Sequence, residues 1–329
     1  MRAPDFWGPE NRSPVDRFLA AGLSPLGSIY GAITASRAKR PPVWQAPVPV
    51  ICVGNAVMGG AGKTQVAIDL CRRLSASDRT VHVLSRGYGG RLEGPVQVDA
   101  IHHRAPEVGD EALVLARHAP TWIGADRTGT ARAACDAGAG LLVMDDGFQN
   151  PDLFKALNLL IVDGGYGFGN GRVFPAGPLR EPAESAFART DAVCVVGEWG
   201  AGMPDIPEDL PVFHAVIRPE PRMAAIRGKK VIAFAGIGRP EKFFDTLYDA
   251  GADIRKTLSY PDHYQFMDHE MEFLFQSARD SGAEIVTTEK DYVRLKDEFK
   301  DKVTPFPVEL AWEDADALEN FILERIGLD

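Results

Sequence analysis

The chain has 329 residues, 45% hydrophobic and 25% charged, with 46 acidic against 36 basic side chains and a formal net charge of −10. That length and balance fit a soluble globular protein of two domains and exclude collagen-like, mucin-like and disordered classes, while the acidic charge argues against general nucleic-acid binding. Cys52, Cys71, Cys135 and Cys194 are scattered among apolar neighbours without a CxxC pair, which points to reduced core thiols rather than a zinc cluster or a disulfide framework.

The first 40 residues depart from that average. They hold six basic side chains (Arg2, Arg12, Arg17, Arg37, Lys39, Arg40) and three acidic ones (Asp5, Glu10, Asp16), a net of +3 that leaves −13 on the rest. Between Arg17 and Arg37 no residue is charged. There Phe18, Leu19, Leu23, Leu26, Ile29, Tyr30 and Ile33 recur at three- and four-residue steps, one apolar stripe on a helix with a bend possible at Pro25. A signal peptide or a spanning helix fits poorly, because the run starts late and contains Pro25, three glycines and four Ser/Thr. Two readings stay open: an amphipathic helix with basic ends resting on an anionic membrane surface, or a helix docked on the protein's own core.

After Pro41-Pro42 the chain alternates strand and helix. Strands are expected at 48–53, 81–84, 122–123, 141–144, 159–162 and 192–196, and a helix at 65–74. Continuous apolar strands between amphipathic helices predict an α/β fold, a doubly wound and mostly parallel sheet covered on both faces. A Gly- and Pro-rich stretch at 199–211 suggests a boundary. A second set follows: strand 230–235, helix 242–250, helix 267–281, strand 284–287 and a closing helix 315–326. The predicted division is 1–40 for the N-terminal helix, 41–218 for a P-loop lobe and 219–329 for a smaller α/β lobe.

The strongest chemical signal is Gly54-Asn55-Ala56-Val57-Met58-Gly59-Gly60-Ala61-Gly62-Lys63-Thr64, between a strand and a helix. Glycines let backbone N–H groups converge on phosphate oxygens, the following helix presents its positive end, Lys63 can reach the β/γ-phosphates and the Thr64 hydroxyl can ligate Mg²⁺. The usual P-loop has glycine where this chain has Val57. The second signal is the apolar run 141–144 ending in Asp145-Asp146-Gly147-Phe148-Gln149, since a P-loop fold holds Mg²⁺ with acid at a strand end. Less diagnostic are Ser85-Arg86-Gly87-Tyr88-Gly89, Gly109-Asp110-Glu111 at a helix start, and Pro175-Ala176-Gly177 leading to Arg180-Glu181-Pro182. Asp262-His263 pairs a histidine with a carboxylate. Thr287-Thr288-Glu289-Lys290-Asp291 does not match a guanine-reading motif.

Taken in this order, these blocks resemble the tetraacyldisaccharide 4'-kinase family over nearly the whole chain, and the family tolerates a non-glycine residue at the Val57 position. The resemblance implies ATP-dependent phosphorylation of the 4'-hydroxyl of a tetraacylated glucosamine disaccharide 1-phosphate, at the cytoplasmic face of the bacterial inner membrane. It implies two lobes joined by a linker that allows closure. Asp110 would act as base, with His263 its partner from the other lobe. Thr64, Asp145 or Asp146, and Glu181 would hold Mg²⁺, and Lys63 and Arg180 would offset charge on the γ-phosphoryl group. ATP, the acylated disaccharide and the membrane surface are the expected partners, and a monomer is the expected state. A P-loop GTPase or ATPase switch, or a metallochaperone, shares the loop and the strand-end acids. The missing guanine motif, the lack of a Cys/His delivery cluster and the apolar stripe stand against it.

Overall fold

The computed structural model describes residues 4–10, 13–75 and 79–328; Arg2 and Arg12 of the basic start lie outside these. Helix α1 (Pro14–Ala38) begins at Ser13, whose side chain accepts the Val15 N–H, and runs unbroken through Pro25. It docks by its small residues. Ala20, Gly27 and Gly31 are buried, and a Cβ on Gly27 would sit 2.7 Å from the Val173 carbonyl oxygen. The apolar stripe faces outward instead: Phe18, Leu26, Ile29 and Ile33 are 56–78% exposed, while Leu23 and Tyr30 are half-buried.

The strands then follow as β1 (Val50–Gly54), β2 (Val81–Ser85), β3 (Val96–Gln97), β4 (Thr121–Ile123), β5 (Leu141–Asp145), β6 (Leu157–Asp163), β7 (Ala192–Val196), β8 (Val212–Pro219), β9 (Lys230–Ala235), β10 (Asp253–Ser259), β11 (Glu284–Thr288), β12 (Thr304–Phe306) and β13 (Val308–Trp312). Between and after them come α2 (Lys63–Ser75), α3 (Ala105–Val108), α4 (Asp110–Ala116), α5 (Arg127–Asp136), α6 (Ala183–Phe187), α7 (Pro240–Asp249), α8 (Asp268–Ser281), α9 (Glu289–Tyr292), α10 (Asp297–Lys300) and α11 (Ala315–Ile326).

The large sheet has the order β13-β8-β7-β6-β1-β5-β2-β4-β3, parallel except where the edge strands β3 and β13 pair antiparallel. Its apolar strands are buried on both sides, as a doubly wound sheet requires. Ile51 and Val53 pack under α2, α4 and α11, whereas Val50 and Cys52 face the side covered by α5 and α6. The small sheet, β10-β9-β11-β12, is all parallel. Phe234 meets Met271 and Leu274 of α8 on one face, and Val231 and Ala233 meet Phe243 and Leu247 of α7 on the other.

Two sequence expectations are corrected. The stretch 199–211 is no boundary, because β8 follows it into the same large sheet beside β7. The end of the 219–329 unit also returns to the large lobe. There β13 pairs with β8, and Leu318, Ile322 and Ile326 of α11 join the core around Ile51 and Leu157. The chain therefore crosses between lobes twice at one place: after Pro219, and at Pro307 between β12 and β13. The Glu220 N–H donates to the Pro307 carbonyl there, at 3.1 Å.

Candidate active site

At the end of β1 the backbone turns under close constraint. A Cβ on Gly54 would lie 2.4 Å from the Phe148 Cβ, so only glycine lets the phosphate loop press against the 145–149 turn. Gly59 and Gly62 then adopt φ of +118° and +85°, in the region that favours glycine. Asn55 is buried and braces the loop, its Nδ2 donating to the Gly59 carbonyl at 3.2 Å. Gly59 and Gly60 are exposed, Ala61 is buried, and Lys63 and Thr64 are half-buried on the first turn of α2. Val57 has its own reason. It is buried and bridges Leu179, while Met58 N–H donates to Pro178 and Arg180 N–H to Ala56. The residue that replaces the usual glycine clasps the 175–182 segment against the phosphate loop.

Asp145 closes β5 in register with Val53 of β1, and Asp146 follows with φ +51°. The two carboxylates differ. Lys63 Nζ lies 3.5 Å and Arg180 Nη1 2.9 Å from Asp146 Oδ1. Burial favours the neutral acid, yet these two cations hold Asp146 down at about 2. Burial and the neighbouring Asp146 push Asp145 up to about 6, and its Oδ1 is buried without a hydrogen-bond partner. An orphaned carboxylate oxygen next to the phosphate loop suits a hard divalent cation with oxygen ligands. Glu181 does not share that position. It has no exposed surface, Arg189 grips both its oxygens at 2.9 Å, and Ser185 and Gln149 donate to them as well. The expected metal ligand is a buried strut, and through it Gln149 is held against Arg180 at 3.1 Å.

Across the cleft, Asp110 opens α4 and is 4% exposed. His263 Nδ1 of the small lobe lies 2.9 Å from its Oδ2, and the Glu111 N–H donates to its Oδ1. Arg294, for which the sequence offers no signal, grips Asp110 Oδ2 through Nε at 2.6 Å and through a second nitrogen; it also binds Asp291 at 2.8 Å. Burial works against the Asp110 anion, but the His263 hydrogen bond and the Lys290 and Arg294 charges prevail and hold it well below the usual carboxylate range. That same hydrogen bond raises the pKa of His263. Glu111, paired with Lys290 at 2.7 Å, is raised to about 7 by burial and by Asp110. Asp110, Glu111 and His263 bring three donor atoms within 4.8 Å of one another, but Lys290 and Arg294 already supply the positive charge.

Backbone strain marks the same residues. Among the described residues, Asp146 and His263 are the two non-glycines at positive φ. Conformations of this kind persist at sites where the surroundings over-determine them. A second seam joins the lobes near the phosphate loop: buried Asp163, at the end of β6, binds Arg239 and Lys242 of the small lobe, and Arg239 also donates to the Gly60 carbonyl at 3.2 Å.

A strand, a glycine loop and a helix on a parallel sheet, with lysine facing strand-end acids, define a P-loop nucleotide-binding enzyme. The chain matches the model of the tetraacyldisaccharide-1-P 4'-kinase family, LpxK, over residues 19–327. It belongs to that family and is an ATP-dependent kinase. It is 51% identical to the tetraacyldisaccharide 4'-kinase of Rhodospirillum centenum, over 98% of this chain and 96% of that one. To the enzyme of the same name from Paramagnetospirillum magneticum it is 47% identical, over 100% and 99%. A crystal structure of LpxK from Aquifex aeolicus in complex with ATP superposes with a TM-score of 0.75 at 25% identity, covering 94% of this chain and 99% of that one.

Proposed function

We propose that the chain transfers the γ-phosphoryl group of ATP to the 4'-hydroxyl of a tetraacylated glucosamine disaccharide 1-phosphate. The observation that carries this reading is the contact of Asp110 with His263 between the lobes, beside Lys290, whose charge also reaches Asp145 next to the phosphate loop. Phosphoryl transfer depends on positioning and charge neutralisation. Lys63 and Arg180 stand where charge accumulates on the transferring group. Asp145 and Thr64 would hold Mg²⁺, which when bound would neutralise charge on the phosphate groups. A carboxylate held as low as Asp110 is a poor proton acceptor. The pairing therefore supports a division of labour in which Asp110 fixes the imidazole through Nδ1–H and the half-exposed His263 offers Nε2 to the acceptor proton.

The acceptor's four acyl chains stay in the bilayer, since each exposed CH₂ costs about 0.8 kcal/mol, so the enzyme works at the interface. Helix α1 is long and apolar enough to span a membrane. Its docking along Gly27 and Gly31 supports a foot that lies on the cytoplasmic leaflet of the inner membrane instead. The test is transfer of labelled phosphate from ATP to the lipid disaccharide in mixed micelles, with Mg²⁺ present and then chelated. Label on the 4'-position only with lipid and Mg²⁺ is the expected result; nucleotide hydrolysis indifferent to lipid would overturn the reading in favour of a switch.

A further inference from the structure

A cavity of about 350 Å³ opens where α1 ends, between the turn after Phe148 and residues 188–191. None of Lys63, Thr64, Asp110, Asp145, Asp146, Arg180 or His263 lines it. Three cations do, Arg40, Lys155 and Arg189, with one acid, Asp191. Arg189 is neutralised by Glu181, and Asp191 accepts the Asn158 N–H at 2.8 Å. The other two cations lack such partners. Arg40 is exposed, with no carboxylate at ion-pair distance among the described residues. Lys155 donates to the carbonyls of Asn150 at 2.6 Å and Phe148 at 3.3 Å, so its ammonium has a donor to spare; the Glu181 charge that reaches it is offset by Arg189, which grips both Glu181 oxygens. Burial lowers its pKa. A partly buried ammonium whose nearest acid is already paired with another cation is costly, and an anion in the cavity would relieve it.

The position of the cavity says which anion. The exposed stripe of α1 runs through Leu26, Ile29 and Ile33; Arg37 continues it one turn further, and Arg40 follows at the rim of the cavity. If the stripe rests in the acyl boundary, the cavity opens at headgroup depth. We propose that it binds the phosphate of an anionic lipid headgroup, with Arg40 and Lys155 as its ligands. This rests on the reading of α1 as a membrane foot.

The full chain is sedimented with phosphatidylcholine vesicles and with vesicles that also contain phosphatidylglycerol. Wild-type protein binds both, the anionic ones more tightly. Arg40→Gln weakens partitioning onto the anionic vesicles about fivefold, the effect of one basic residue at such a surface, and leaves binding to phosphatidylcholine in place. Lys155→Met does the same if it folds, and Arg40→Gln decides the matter if it does not. An anionic increment that survives Arg40→Gln overturns the proposal. Wild-type protein that binds neither vesicle overturns the foot. The cavity is then judged by titration with soluble dihexanoyl phosphatidic acid: saturable binding lost in Arg40→Gln upholds a phosphate site, and no binding overturns it. Inorganic phosphate that competes as well as the short-chain lipid reassigns the site to free phosphate and overturns the lipid.

Discussion

The donor wall of the cleft comes from one lobe: the Gly54–Thr64 loop, the 145–149 turn on the strand paired beside β1, and the 175–182 segment clasped to the loop by Val57. The acceptor wall is assembled across the cleft. Asp110 meets His263 from 153 positions away and Arg294 from 184. The donor wall is built within the large lobe and meets the small lobe at the Arg239 contact with Gly60, whereas the acceptor wall exists only while the lobes touch. Opening the cleft would return Asp110 and Arg294, each with a 4% exposed side chain, to water. Closure buries two charges whose attraction must offset their desolvation. On the proposed reading, loss of lobe contact should then cost the acceptor chemistry more than nucleotide binding.

Substitutions on the two walls should separate along that line. Lys63→Met is expected to weaken ATP binding, measured by titration, together with turnover. Asp110→Ala and His263→Ala are expected to keep ATP affinity and to lose about 10²–10⁴ in kcat, and the double variant should lose little more than the worse single one. Fully multiplicative losses would break the pairing. The pH profile sharpens it. Because its pKa is raised above 6.5, His263 is protonated on the acid side and can accept a proton only once it deprotonates. The wild-type rate should therefore climb with pH through an acid limb centred above 6.5, and His263→Gln should abolish that limb. A limb that persists would take the titration away from His263 and point to Glu111, raised to about 7.

Glu181 tests the donor wall from behind. As a strut it should contribute to stability more than to metal binding. Glu181→Gln leaves the half-buried Arg189 without its carboxylate and should cost about 1–3 kcal/mol of unfolding free energy, measured by denaturant titration, while the Mg²⁺ dependence of the residual activity stays in place. A large shift in the Mg²⁺ requirement without loss of stability would put Glu181 back among the ligands.

The contrast between the walls also explains what could be read in advance. Glycine spacing, an apolar strand and terminal acids are local signals, so the phosphate loop and Asp145–Asp146 stand out in the sequence. Arg294 does not, because its partner lies in another lobe and one arginine on a helical turn carries no pattern. Glu181 reads as a metal ligand beside Arg180, since nothing local shows that Arg189, eight residues on, takes both its oxygens. The core strands β1, β5, β6 and β7 are continuous apolar runs and are legible as such. The edge strand β10 is not, with Arg255 and Lys256 exposed, and β13 joins the large sheet through long-range pairing with β8. The α1 stripe is legible as a helix face, but the glycines that let its opposite face dock are visible only once Val173 and Pro182 lie against them.

The smallest expected effect concerns Glu111, the acid beside Asp110 on the acceptor wall. Its pKa is raised from 4.5 to about 7 in the folded protein, so between those values the folded state holds a proton that the unfolded chain has released. Stability should then fall as pH rises through that window, by up to about 3 kcal/mol, with the full cost present above pH 7. Glu111→Gln removes the titration and also deprives Lys290 of its 2.7 Å partner. The loss of the partner lowers stability at every pH, so the sign at one pH is not diagnostic; the slope is. Unfolding free energies measured from pH 5 to 8 should decline more steeply for the wild type than for the variant. Parallel curves would mean that Lys290 keeps Glu111 ionised throughout, and that the acceptor wall carries one more fixed charge pair instead of a proton near neutrality.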